Sequence, residues 1–285
     1  MFREEMIDFD DLGLNLAWGP EAGPPLLLLH GVMRRWTDFL PLIPSLMTRW
    51  RVIGLDFRGH GESGLTPDCY QVTDYVSDVV SVVRSCIAEP VVLYGHSLGA
   101  MAALGAAARE PELVRAIILE DPPFHTMGNR IGESPYLSQF SGIQAILGKE
   151  LELDALAQAL ADVELRTPGS LASTRLGEVR DPSAIRYLAS CLLRLDPDVL
   201  TPIVDGTWLD GYELDELLPR TQQPTLVMQG DGAAGGMLID EDVARLRQRL
   251  ARASIVRFAG VGHLIHGQDT VAAARVATGF LESLL

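Results

Sequence analysis

Val91-Val92-Leu93-Tyr94-Gly95-His96-Ser97-Leu98-Gly99-Ala100-Met101-Ala102-Ala103 is the stretch whose reading decides the fold. The apolar run Val91 to Leu93 reads as a buried strand, and the alanine-rich segment after Gly99 as a helix. Between them lies G-x-S-x-G, the pattern of a sharp strand–turn–helix elbow with an exposed serine. Side chains two residues either side of that serine would collide in so tight a turn, hence Gly95 and Gly99. Ser97 then stands at the carboxyl end of a strand and the amino end of a helix. Free N–H groups and the positive end of the helix dipole meet a developing negative charge there. A plain Gly-Ser turn carries the same letters, so the pattern takes its meaning from its flanks and its partners.

Outward from the elbow, short apolar runs alternate with helical patterns. Residues 2–8 and 12–18 read as two strands joined at Asp10-Asp11-Leu12-Gly13, and Pro24 to Leu29 as a strand buried on both faces. A helix carrying Trp36, Leu40, Leu42 and Ile43 is expected next, then the strand 51–55 and a polar loop from Asp56 to Gly64. Val72, Tyr75, Val76, Val79, Val80 and Val83 fall at helical spacing over about 71–88. After the elbow comes the strand 114–119. Such alternation implies βαβ units, a parallel sheet with helices on both faces, and working loops at the carboxyl ends of the strands.

The rhythm breaks at Asp121-Pro122-Pro123. Helical patterns follow at 136–148, 151–163 and 181–195, separated by Gly132, Pro168-Gly169 and Asp181-Pro182, with no convincing buried strand among them. Strands resume at 224–229 and 254–258, with helices at about 240–251 and 268–284. The expected division is a core domain of 1–121 and 218–285, interrupted by a helical cap at 122–217.

Composition narrows the partners. A formal net charge of -15 repels phosphate backbones, so nucleic acid is excluded as a partner. Cys69, Cys86 and Cys191 stand in no metal-ligand spacing, and an odd count suits a reducing compartment. The amino terminus is acidic where a signal peptide would be basic and then apolar. No run approaches the ~18 apolar residues of a membrane span. The expectation is a cytoplasmic protein acting on a small molecule, with no membrane or metal and with its oligomeric state, homo-oligomer or not, left open.

A serine hydroxyl becomes a nucleophile when an imidazole takes its proton and a carboxylate orients that imidazole. Of six histidines, His30 and His60 lie in loops with other work, His96 leaves the elbow in another direction, and His125 opens the helical segment. His263, behind the flexible Gly262 after the last strand, is favoured as base over His266. Two aspartates compete as the acid, Asp231 after the strand 225–230 and Asp121 after the strand 114–119, and Asp231 is preferred. The N–H groups of Leu98 and Val32, with Met33 as fallback, are the expected oxyanion hole.

Taken together, His30-Gly31, the loop Asp56-Phe57-Arg58-Gly59-His60-Gly61-Glu62-Ser63, the elbow at Ser97 and Gly262-His263 resemble the α/β-hydrolase superfamily over nearly the whole chain. Serine, acid, histidine is also its chain order. The combination is most similar to the branch holding esterases, haloperoxidase-type hydrolases, dehalogenases, epoxide hydrolases and C–C hydrolases. In that branch a helical cap follows the sixth strand of an eight-stranded, mostly parallel sheet. Dehalogenases and epoxide hydrolases use an aspartate nucleophile, which Ser97 argues against. C–C hydrolases carry a longer Gly- and Asn-containing loop than Val32-Met33-Arg34-Arg35-Trp36. One departure concerns the acid: the family commonly places it three residues after the glycine ending the seventh strand, and Gly230 plus three is Ala233.

The resemblance implies a serine hydrolase acting without a cofactor on a small, largely apolar ester, lactone or thioester. Met33, Trp36, Phe124, Phe140 and Trp208 are expected to line its pocket, with Tyr136, Tyr187 and Tyr212 as further aromatics of the cap. The alternatives are a C–C hydrolase, a cofactor-free haloperoxidase or perhydrolase, a lyase on the same scaffold, and a ligand-binding protein with a residual triad.

Overall fold

The computed structural model describes residues 2–166, 169 and 173–285. Met1 lies outside the described residues, as does Pro168 of the break expected at Pro168-Gly169. Strands β1 (Arg3–Phe9), β2 (Leu12–Trp18), β3 (Pro25–Leu29), β4 (Arg51–Leu55), β5 (Val91–His96) and β6 (Val114–Glu120) precede the helical segment. Within that segment β7 (Glu164–Arg166) and β8 (Ser173–Arg175) pair only with each other. β9 (Thr225–Gly230) and β10 (Ala253–Phe258) complete the main sheet, whose order is β1-β2-β4-β3-β5-β6-β9-β10. β2 runs antiparallel to β1 and β4, and all later neighbours are parallel. This is the eight-stranded α/β-hydrolase architecture.

Strict alternation divides the apolar strands between two cores. Leu27, Leu29, Leu93 and Ile117 face one side, while Leu26, Leu28, Val92 and Ile118 face the other. The helices Val72–Val82 and Leu98–Arg109 cover the first face, and Thr270–Glu282 covers the second with Ala273, Ala277 and Leu281. Every residue of β3 and β5 is buried, which places their carboxyl ends at the centre of the molecule.

One expected helix is absent. Trp36–Phe39 forms a 3-10 turn and Ile43–Leu46 a separate short helix, with Leu40 exposed between them. Pro41 and Pro44 lack the N–H donors that a continuous helix needs. Between β6 and β9 the helices Tyr136–Leu147, Leu153–Ala161 and Pro182–Leu192 occupy the stretches whose patterns are helical. Asp181 caps the last of these, accepting from the Ser183 and Ala184 amides at 2.9 Å each. The β7–β8 hairpin escapes the sequence reading because its three-residue strands bury nothing fully. Among the described residues no helix is long and apolar enough to cross a membrane.

Candidate active site

Ser97 begins the helix Leu98–Arg109 with φ 54° and ψ -115°, a conformation that side-chain-bearing residues rarely adopt. A Cβ on Gly95 would sit 2.1 Å from the Gly99 carbonyl oxygen, and one on Gly99 would sit 2.0 Å from that of Leu29. Both glycines are therefore required by contact with backbone. The Ser97 amide donates to the Glu120 carbonyl at 2.9 Å, tying the elbow to β6.

Leu98 is the first residue of its helix, so its N–H has no acceptor one turn back. The Val32 N–H meets no acceptor among the described residues, and Gly31, Val32 and Ser97 line one cavity. The fallback donor Met33 is spent: its N–H donates to His60 Nε2 at 3.1 Å. His60 is held in that tautomer by donating Nδ1–H to the Arg58 carbonyl at 2.8 Å. His30 does the same one loop away, accepting from the Phe57 amide at 3.0 Å and donating to the Gly31 carbonyl at 2.7 Å. Burial lowers their pKa values to about 4 for His30 and about 3 for His60, so both remain neutral braces of this loop.

His263 donates Nδ1–H to Asp121 Oδ2 at 2.7 Å. Asp121 is completely buried, and its carboxylate also accepts from the amides of Gly230 at 2.9 Å, Met237 at 2.7 Å and Leu238 at 3.2 Å. Four donors converge on one carboxylate. Asp231, the acid preferred from sequence, is elsewhere. Its exposed carboxylate accepts from the Ala233 amide at 3.0 Å and the Gly260 amide at 2.9 Å, and these two contacts hold its pKa below the usual range. The expectation for Asp231 is corrected: its side chain closes a surface turn, and Asp121 is the carboxylate beside His263.

His266, the rival base, is wholly buried behind the site. Its backbone N–H and Nδ1 both donate to Glu120 Oε1, at 2.9 and 2.8 Å, and Nε2 faces Asp38 Oδ2 at 3.4 Å. Burial alone would lower its pKa, but the two carboxylates outweigh it and raise the value to about 10. Glu120 correspondingly falls to about 2, because His266 overcomes its own desolvation. The result is a buried ion pair three residues from His263. His96 Nε2–H donates to the His263 carbonyl at 3.1 Å, so the elbow and the histidine loop are also joined directly. His125 pairs with Asp242.

The cavity shared by Ser97 and His263 has a volume of about 230 Å³. Of the expected pocket residues, Met33, Phe140 and Trp208 line it, and so does Tyr136. Trp36 and Phe124 do not. Trp36 packs in the core on the opposite face of the sheet and stacks on Phe2 at 5.2 Å, while Phe124 is buried in the main core. Tyr187 and Tyr212 are likewise absent from the wall, and the Tyr212 hydroxyl donates to the Met101 carbonyl at 2.8 Å. Sequence reasoning missed Arg34, Gln139 and Arg180, which also line the cavity. Arg34 lies two residues from Val32, in the loop expected to supply the oxyanion hole; nothing in the sequence singles out Gln139 or Arg180.

A model of the alpha/beta hydrolase family matches residues 26–276. A 2-(acetamidomethylene)succinate hydrolase of Mesorhizobium japonicum is 34% identical over 120 residues, covering 42% of this chain and 43% of that protein. The chain thus aligns with less than half the length of that relative. An sn-1-specific diacylglycerol lipase of Xenopus laevis is 26% identical over 96% of the chain and 84% of its own length. Among solved structures, that of an E-2-(acetamidomethylene)succinate hydrolase superimposes with a TM-score of 0.73 at 23% identity, covering 99% of this chain and 100% of that one.

Proposed function

Because the chain belongs to the alpha/beta hydrolase family, we propose that it is a serine hydrolase that cleaves a small carboxylic ester, lactone or thioester through an acyl-enzyme on Ser97. The observation that carries this reading is the 2.7 Å contact of His263 Nδ1 with a fully buried Asp121, His263 lining the cavity that Ser97 also lines. That two relatives are named as a hydrolase and a lipase supports hydrolytic chemistry.

Asp121 fixes the proton on Nδ1, which leaves Nε2 as the nitrogen able to take the Ser97 proton. Ser97 Oγ then bonds to the acyl carbon, and the carbonyl electrons move onto oxygen. The Val32 and Leu98 N–H groups, both without acceptors among the described residues, receive that oxyanion. As the tetrahedral carbon collapses, the bond to the leaving oxygen or sulfur breaks and that atom takes the proton from His263. Water, deprotonated by the same imidazole, attacks the acyl carbon; the bond to Ser97 Oγ then breaks, Oγ takes the proton back from His263, and the acid leaves. The segment 122–217 serves as a cap, contributing Phe140 and Trp208 to the cavity wall. A volume of about 230 Å³, at the small end for ligand sites, argues for a compact substrate.

Labelling with a fluorophosphonate tests the reading. The adduct is expected on the Ser97 peptide, and Ser97→Ala should lose about 10³-fold or more of its esterase activity. An adduct elsewhere, or an active Ser97→Ala, would overturn it.

A further inference from the structure

Arg180 follows the short helix Leu176–Val179 and precedes the Asp181-capped helix Pro182–Leu192, so the backbone is held on both sides of it. Its side chain lines the cavity that contains Ser97 and His263. Arg34 reaches the same cavity from the loop after β3.

Arg180 has no partner among the ion pairs that the described residues form around the cavity. Arg34 lies 3.5 Å from Asp38 and sits over the Tyr187 ring at 5.7 Å. Asp38 is shared with His266, which also holds Glu120, and Asp121 is taken by His263. Among the described residues no carboxylate pairs with the Arg180 guanidinium. Its chain neighbour Asp181 also borders the cavity, and its charge partly offsets the lowering of the Arg180 pKa. That carboxylate is exposed, however, its Oδ1 accepts from the Ser183 and Ala184 amides, and it forms no ion pair with the guanidinium. Burial, and then the charge of Arg34, pull Arg180 below its ordinary pKa, as expected of a cation drawn out of water beside another cation. A further polar side chain, that of Gln139, lines the same space and makes no hydrogen bond to the protein among the described residues.

A half-buried guanidinium without a counter-ion costs free energy that an anion would recover. Its planar fork matches a carboxylate through two parallel hydrogen bonds. Met127, Phe140 and Leu188 line the same cavity, and apolar wall of this kind strengthens the attraction between opposite charges. We infer that the substrate carries a carboxylate besides its scissile acyl bond, and that Arg180 anchors it, with Arg34 adding to the positive field. The substrate class is thus a short ester or thioester of a dicarboxylic acid, charged at one end and apolar along its body. This inference rests on the serine-hydrolase reading for the bond that is cleaved, but not for the anion that is bound.

Two measurements test it. Calorimetric titration with glutarate should show binding to the wild type, weakened at least about tenfold in Arg180→Gln and less in Arg180→Lys, while neutral glutaramide binds none of the three. In parallel, the kcat/KM for p-nitrophenyl hemiglutarate divided by that for p-nitrophenyl butyrate should fall at least about tenfold in Arg180→Gln. Thermal melting of each variant reports folding, and Arg180→Lys supplies a second, charge-retaining comparison. Glutarate that fails to bind, or binds Arg180→Gln as tightly as the wild type, overturns the carboxylate site, as does an unchanged selectivity ratio. Arg180-dependent glutarate binding in a protein that hydrolyses no ester would instead overturn the serine-hydrolase reading and leave the anion site standing.

Discussion

Asp121 Oδ2 and His263 Nδ1 lie 2.7 Å apart although 142 residues separate them in the chain. The contact is set by β6 and β9 being neighbours in the sheet, and by the 230–238 loop folding its amides back onto the Asp121 carboxylate. A carboxylate with four donors is held in one orientation, and it holds the imidazole in turn.

Asp121→Asn should therefore abolish most turnover, by about 10⁴-fold, because an amide at that place favours the wrong tautomer of His263. Asp231→Asn should stay close to wild type in kcat, since that carboxylate faces solvent. Steady-state kinetics on an aryl ester, with circular dichroism to confirm folding, separate the two. A mild Asp121→Asn or a crippled Asp231→Asn would show that the resting contact is not the working one.

Gly95→Ala should destabilise the fold rather than only slow the enzyme. The added methyl would lie 2.1 Å from the Gly99 carbonyl oxygen, and backbone there is wedged against β3. Overpacking of this kind costs about 3 kcal/mol or more, which lowers the melting temperature by roughly 6 °C or more in a chain of this size. An unchanged melting temperature would mean that the elbow opens more readily than its contacts allow.

Stability should peak near pH 6.5. His30 and His60 have folded pKa values of about 4 and about 3, against an ordinary 6.5. Below pH 6.5 the unfolded chain takes up protons that the native state refuses, so stability falls on acidification. These two contribute up to about 2.7 kcal/mol per pH unit while both differ fully, and buried His96, also lowered, acts in the same sense. His266 has the opposite sign: raised to about 10, it contributes fully below 6.5 and is lost as the pH climbs through 10. Melting temperatures from pH 4 to 10 check the profile. His60→Gln should make the acid limb shallower by about one proton, and an unaltered slope would contradict the buried neutral state.

The Glu120–His266 pair offers a thermodynamic cycle. Glu120→Gln leaves the buried His266 short of a counter-charge and should cost roughly 3–5 kcal/mol, and His266→Gln strands Glu120 similarly. The double variant should cost clearly less than the sum, because the second change removes the charge stranded by the first. Additive costs measured by urea unfolding would indicate that the pair is not ionised as its surroundings require.

Local rules reach a long way in this chain. The eight strands, the elbow and His263 are legible because each depends on neighbours within a few residues: a two-sided apolar run, glycines where a turn forbids Cβ, a flexible Gly262 before the imidazole. The helix expected around Leu40 fails for an equally local reason, the prolines at 41 and 44 outweighing the apolar spacing. What tertiary structure alone decides is which of several suitable side chains arrives. Asp121 and Asp231 both follow parallel strands, yet one receives the Met237 and Leu238 amides while the other is claimed by Ala233 and Gly260. Trp36 and Trp208 are equally apolar in sequence, but they end in the cores on opposite sides of the sheet, and only Trp208 also borders the cavity. Arg180 has no local signature at all. Its significance lies in where every nearby carboxylate has gone, and that is a property of the folded charge distribution rather than of any stretch of sequence.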